Sequence, residues 1–196
     1  MSVAGLLLAA GAGRRMGGPK ALVELDGEPL VRRGVRLLAD GGCDPVVVVV
    51  GAAADAVRAL CDGAQVVEAT DWDTGMGASL RAGLAALEAG TDVGACVVAL
   101  VDQPQVTAEV VVRLRAAHAD GATAAVATYA GRGRNPVLLA RGAWSGVAQA
   151  AVGDEGARGW LRAHPELVVA VDCTDAGSPA DLDTPADLHA LTGGAR

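Results

Sequence analysis

The apolar residues of this chain fall into short uninterrupted runs, and between them lie stretches with helical spacing. Val3–Ala9, Val46–Val50 and Ala95–Val101 contain no charged residue, the pattern of strands buried on both faces of a parallel sheet. Pro29–Ala39 carries apolar side chains at Leu30, Val31, Val35 and Leu38 and stops at Gly41 and Gly42, which predicts a helix. Ala53–Leu60 and Ala78–Leu87 predict two more, the second with Leu80, Leu84 and Leu87 on one side, and Gln65–Ala69 predicts a short strand. Thr107 stands at the N-cap position of a helix running to about His118, with Glu109 in its first turn. Beyond that helix the alternation loosens. Thr123–Thr128 and Pro136–Leu139 read as strands around a Gly-Arg-Gly-Arg turn at 131–134. Helices follow near Ala143–Ala151 and Gly156–Ala163, then a strand at Val168–Val171 and a closing helix, Thr184–Leu191, with Pro185 in its first turn.

Strands alternating with helices predict an α/β fold, three layers deep, with a mainly parallel sheet and residues 1–196 forming one domain. In such sheets ligands bind beyond the carboxyl ends of the strands, at the switch point in strand order. Two features fall at strand ends of this kind. One is a glycine-rich loop after the first strand, and the other is Asp102, just past the run Ala95–Val101.

Composition narrows the function classes. The longest uncharged runs, Met1–Gly13 and Gly142–Gly153, are too short to span a bilayer. No basic segment precedes Leu6–Ala10, and cleavage near Ala12 would cut the glycine loop, so the N-terminus reads as a buried first strand of a cytoplasmic protein rather than a secretion signal. Cys43, Cys61, Cys96 and Cys173 lack the spacing of a zinc site and read as buried free thiols. A net charge of −7, with no Phe and one Tyr, argues against a nucleic-acid surface. An acidic protein still binds an anionic small molecule when its cations are focused in one cleft.

The glycine loop is such a place. Residues 6–20 read LLLAAGAGRRMGGPK. A P-loop requires GxxxxGK[ST], and counting from Gly13 places Pro19 at the lysine position. A dinucleotide fingerprint requires GxGxxG, but Met16 takes the third glycine's place and Pro19 opposes helix at Gly18. The strand Val46–Val50 ends in Gly51, with no acid there to hold a ribose. What remains is a loop whose backbone N–H groups can turn toward phosphate oxygens, with Arg14, Arg15 and Lys20 around the same point.

With three further segments in order, GMGASL (75–80), VDQP (101–104) and DLDTPADL (181–188), the chain resembles the MobA-like NTP transferases, and in particular the molybdenum cofactor cytidylyltransferases. The resemblance implies a Rossmann-like fold of the nucleotide-diphospho-sugar transferase type. It also implies Mg²⁺-dependent transfer of CMP, or GMP, from a nucleoside triphosphate to a phosphate-monoester acceptor such as the molybdopterin cofactor. Carried over by position, Ala9, Ala10, Gly11, Gly13 and Arg14 would surround the nucleotide, and Arg15 and Lys20 would neutralise its phosphates. Asp102 would hold Mg²⁺ together with Asp183, with Asp181 as a rival for the second place and a helix cap as the alternative role of Asp183. Gly75, Gly77 and Ser79 would form the second wall against base and ribose, with Ser79 also a candidate N-cap.

Asn135, within GRNPV (133–137), would contact the second substrate; Arg134 is an added cation that departs from the family pattern. GDEGAR (153–158) resembles a loop on the acceptor side. Gln103 and Pro104 shape the turn after Asp102, with Pro104 a candidate cis position, and His118, His164 and His189 receive no chemistry. LAAG at 8–11, in place of LAGG, favours CTP over GTP. Two other readings stand beside this one. The first is an NAD(P)H-dependent oxidoreductase, since some members of the superfamily resemble nicotine blue oxidoreductase. The second is a nucleotide-binding protein without turnover.

Overall fold

The computed structural model describes residues 1–90 and 92–193. Strand β1 (Ser2–Leu8) runs into the glycine loop, which closes in a 3-10 turn at Lys20–Leu22. A small hairpin, β2 (Glu24–Leu25) and β3 (Glu28–Pro29), leads into helix α1 (Leu30–Asp40). There follow β4 (Val46–Val50), α2 (Ala54–Arg58), β5 (Gln65–Glu68), α3 (Met76–Glu88), β6 (Val93–Leu100) and α4 (Ala108–Ala119). The remainder comprises β7 (Ala124–Tyr129), β8 (Arg132–Ala140), α5 (Trp144–Ala150), α6 (Arg158–Ala163), β9 (Val168–Asp172) and α7 (Pro185–Gly193).

Seven strands form one sheet in the order β5-β4-β1-β6-β8-β7-β9. Only β8 runs against its neighbours; every other pairing in the sheet is parallel. The reason is local. Ala130 and Gly131 both take positive φ, 49° and 74°, a two-residue turn that folds β8 directly back on β7 and leaves no room for a crossover. Arg132 and Arg134, expected in a turn, are therefore strand residues. Asp26 and Gly27 make a second turn of this kind, with φ of 54° and 77°, joining the unforeseen pair β2–β3.

The period of two along each buried strand sorts the core into two layers. Leu7, Val48, Val50, Val97 and Ala99 point to one face, against α1, α2 and α4; Leu6, Leu8, Val47, Val49 and Val98 point to the other, against α3, α5 and α6. Burying each such leucine or valine contributes roughly 1.5–3 kcal/mol, which is why these runs form the centre of the sheet. Among the described residues no helix is long and apolar enough to cross a membrane.

Three local expectations change. Helix α3 starts at Met76, so Ser79 lies inside its first turn and caps nothing. Thr107 has the extended backbone of an N-cap, but its hydroxyl donates to the carbonyl of Ala176 at 2.6 Å instead of accepting from the helix. The cis X–Pro bonds lie at Asp44–Pro45 and Asn135–Pro136, not before Pro104. Because β1 has β4 on one side and β6 on the other, strand order reverses between β1 and β6. A crevice opens beyond their carboxyl ends.

Candidate active site

One wall of that crevice is the glycine loop. The backbone N–H groups of Met16, Gly17 and Gly18 all donate to the carbonyl of Gly13, at 2.9, 3.1 and 3.2 Å. This curl requires glycine at 13: φ is +56°, and a Cβ would run into the carbonyl oxygen of Gly18. Curling returns the chain to the strand ends and places Lys20 there. Its Nζ donates to Oδ2 of Asp102 at 2.7 Å and to Oδ1 of Asp183 at 2.5 Å. Arg15 completes the group, 3.2 Å from Oδ2 of Asp183. Burial works against the charge on Lys20, but its hydrogen bonds to Asp102 and Asp183 outweigh that and raise its pKa. The hydrogen bond from Lys20 holds the Asp183 carboxyl below its ordinary value, with the charges of Lys20 and Arg15 acting the same way.

The two carboxylates come from distant parts of the chain. Asp102 lies two residues past the end of β6, and its carbonyl accepts the N–H of Leu182 at 2.8 Å. Leu182 is buried in the core and so seats Asp183 opposite Asp102. Helix α7 is capped without Asp183. Asp187 accepts from the N–H of Asp183 at 3.0 Å and of Thr184 at 2.7 Å, while the Thr184 hydroxyl accepts from the N–H of Asp187 at 3.3 Å. This reciprocal capping box leaves the Asp183 carboxylate to the crevice. Asp181 is engaged elsewhere, accepting from Nε2 of Gln103 at 2.9 Å. Among the described residues no cluster of three or more His, Cys, Asp or Glu side chains has the form of a metal site. The Asp102–Asp183 pair is still suited to Mg²⁺, which is commonly held by one or two carboxylates, with waters and substrate phosphates completing the shell.

The opposite wall is the start of α3. Gly75 has a φ of +123°, and a Cβ there would lie 2.5 Å from the carbonyl of Gly153, so the 153–155 turn rests directly on it. Asp154 from that turn accepts the N–H of Met76 at 3.3 Å, the free amide of a helix N-terminus. Between the walls lies a cleft of about 410 Å³. Of the residues singled out in the sequence, Ala10, Gly11, Gly13, Arg14, Arg15, Lys20, Gly75, Ser79, Asp102 and Asp183 line it.

Three do not. The Ala9 side chain is buried in the core. Gly77 abuts the carbonyl of Ala151, which a Cβ would meet at 2.6 Å; it serves packing of α3 against the end of α5. Asn135 sits in β8 and is not part of the lining. Trp72, Asp73 and Met76 also line the cleft, with no role expected of them from the sequence, and Asp154, from the 153–158 segment expected on the acceptor side, lines it as well. Trp72 had a signal in Gly51, where any Cβ would strike the indole ring. The glycine at the end of β4 makes room for that side chain.

Residues 5–168 match the family model of the MobA-like NTP transferase domain. The chain belongs to this family of nucleotidyltransferases. Over 199 residues, 96% of each protein, this MobA-like chain is 40% identical to nicotine blue oxidoreductase of Paenarthrobacter nicotinovorans. It is 37% identical over 145 residues to the probable molybdenum cofactor guanylyltransferase of Opitutus terrae, covering 65% of this chain and 66% of that one. The MobA-like fold superposes on the crystal structure of Rv0371c from Mycobacterium tuberculosis H37Rv with a TM-score of 0.80, at 29% identity over 98% of each chain. The manganese complex of that protein gives 0.77 at 28% identity, over 98% of this chain and 99% of that one.

Proposed function

We propose that the protein transfers a nucleoside monophosphate from a nucleoside triphosphate to the phosphate monoester of a small acceptor, of the molybdopterin cofactor type, and releases pyrophosphate. The observation that carries this reading is the meeting of Lys20, Arg15, Asp102 and Asp183 at the end of the glycine loop. An oxygen of the acceptor phosphate attacks the α-phosphorus, the bond from that phosphorus to the bridging oxygen breaks, and the electron pair leaves with pyrophosphate. Such a transfer needs positioning and charge neutralisation above all. Arg14 and the backbone of Gly11–Gly13 would hold the triphosphate, while Arg15 and Lys20 stabilise the charge that grows on the leaving pyrophosphate. No general base is required, because a phosphate monoester is ionised at neutral pH. Mg²⁺ held by Asp102 and Asp183 would supply further neutralisation at the phosphates; the manganese complex of the Mycobacterium structure supports a divalent metal in this fold.

CTP is the preferred donor in this reading. The methyl of Ala10, buried at the cleft floor, narrows the space a purine must enter. One methyl discriminates by roughly 1–3 kcal/mol, so the preference is partial, and the name of the Opitutus relative supports GTP as the competing donor. Ala10→Gly should move kcat/KM toward GTP by about tenfold. Four free, buried cysteines fit a cytoplasmic setting.

A second reading, an NAD(P)H-dependent oxidoreductase, draws support from the 40% identity to nicotine blue oxidoreductase. One pair of assays separates the two. The protein is incubated with CTP or GTP, Mg²⁺ and a phosphorylated pterin acceptor, and separately with NADPH and a quinonoid dye. Pyrophosphate release without NADPH oxidation is the expected result; the reverse would replace the first reading by the second. Nucleotide binding with neither activity would leave a binding protein without turnover.

A further inference from the structure

Among the described residues, Gln103 and Ser79 are the buried polar side chains. Ser79 faces the cleft, whereas Gln103 does not. Gln103 follows Asp102 directly, and its Nε2 donates twice, to the carbonyl of Pro179 at 3.1 Å and to Oδ1 of Asp181 at 2.9 Å. Both partners are oxygens that can only accept, so the orientation of the amide is determined. Its Oε1 is left buried without a partner. An unpartnered buried carbonyl is unfavourable, so the side chain is kept there by what its nitrogen does.

The surrounding links show what that is. The stretch after β6 and the stretch before α7 are joined by a series of bonds: Thr107 Oγ1 to the carbonyl of Ala176, Ser178 N–H to the carbonyl of Gln105, and Leu182 N–H to the carbonyl of Asp102. Gln103 adds a side-chain link that is one residue from Asp102 at one end and two residues from Asp183 at the other. We propose that Gln103 is a positioning residue: by holding the 179–181 turn against the end of β6, it sets where Asp183 stands relative to Asp102 and Lys20. This rests on the reading that those carboxylates serve nucleotidyl transfer. The demand is for a donor, not for bulk. Glutamate, of the same shape, would set a carboxylate against the carboxylate of Asp181 and the carbonyl of Pro179, with no proton to share.

The test compares the wild type, Gln103→Glu, and the double variant Gln103→Glu with Asp181→Asn, which restores one donor–acceptor pair in the reverse direction. In Gln103→Glu, kcat for pyrophosphate release should fall roughly 10–100-fold, the range for losing a group that orients a ligand residue. KM for the nucleoside triphosphate should barely move, because the loop that holds the phosphates is intact. Backbone hydrogen exchange across residues 178–184, measured on the ligand-free protein, should quicken. The double variant should recover at least about tenfold of the lost kcat and regain slow exchange. Unchanged exchange in Gln103→Glu, or a double variant no better than the single one, would overturn the proposal. Exchange is read without substrate. A wild type that releases no pyrophosphate would therefore refute the transferase reading alone, and the exchange result would still decide the role of Gln103.

Discussion

On one side of the cleft Lys20, Arg15, Asp102 and Asp183 form ion pairs of 2.5, 2.7 and 3.2 Å. On the other, Gly75, Met76, Ser79 and Trp72 offer backbone, a hydroxyl and an indole, and Asp154 there is turned onto a helix amide. The first wall is built to change partners. Both oxygens of Asp183 already face a cation, Lys20 on one and Arg15 on the other, so a divalent ion bound there would compete with them for the carboxylate. The second wall is built to keep its shape, since Gly75 and the 153–155 turn touch with no room for a methyl group. Interactions that strengthen as charge moves in the transition state raise kcat, whereas those that fit the bound substrate equally well act on KM. Substitutions on the two walls should therefore separate kinetically.

The largest effect should come from Asp102→Asn, which removes a charge while keeping the shape. In the pyrophosphate assay kcat should fall at least about 10³-fold, with the thermal unfolding temperature nearly unchanged because Asp102 lies in a loop beyond β6. Lys20→Ala comes next, with roughly 10²–10³-fold lower kcat. It should also have a second, opposite signature. With the bridging ammonium gone, Asp102 loses its cation and Asp183 keeps only Arg15, so nucleotide-free protein should bind Mn²⁺ more tightly than wild type in a paramagnetic-resonance titration. Weaker Mn²⁺ binding in that variant would mean that the lysine assists the metal and does not stand in for it.

Gly75→Ala probes the other wall. The added methyl would press on the carbonyl of Gly153 at a backbone angle that L-residues rarely adopt, costing about 1–3 kcal/mol. A lower unfolding temperature and a raised nucleotide KM are expected, with kcat held within a few-fold. A collapse of kcat with KM unchanged would erase the distinction between the walls.

The smallest effect is in the pH dependence of stability. The Asp183 pKa is lowered in the folded protein, so its stabilising contribution is present above the unfolded carboxyl pKa and is lost as pH falls through the folded value. The Lys20 pKa is raised, so its contribution is complete below the unfolded lysine pKa and is lost only as pH rises through the folded value. The cluster is thus intact through neutrality. In Lys20→Met the Asp183 carboxyl loses the main interaction that holds its pKa down, so the fall in unfolding temperature below about pH 4 should be shallower than in wild type, by an amount kept small by the solvent exposure of Asp183.

How much of this was legible in the sequence follows the same division. The valine and leucine runs of β1, β4 and β6 announce themselves because both faces of those strands are buried, and the glycine loop and Asp102 lie immediately beyond two of them. The choice between Asp181 and Asp183 was not local; a side chain some 80 positions away, Gln103, engages the first and leaves the second to the cleft. Trp72 and Asp73 were not legible for a related reason. Both lie in a short 3-10 turn, Trp72–Thr74, ahead of α3 and outside any helix or strand periodicity. Arg132 and Arg134 looked like turn residues because two glycines punctuate them, yet the turn sits at Ala130 and Gly131. Polar strand ends that project past a sheet carry little pattern.

The central claim is that the charged wall performs nucleotidyl transfer, and label transfer tests it most directly. Wild type and Asp102→Asn are incubated with Mg²⁺, a phosphorylated pterin acceptor and CTP labelled at the α-phosphorus, and the label is followed into the acceptor. Label in the acceptor and equimolar pyrophosphate are expected with the wild type, and at least about 10³-fold slower formation of both with Asp102→Asn. No label in the acceptor with the wild type, from CTP or from GTP, under conditions in which the same preparation oxidises NADPH, would contradict it.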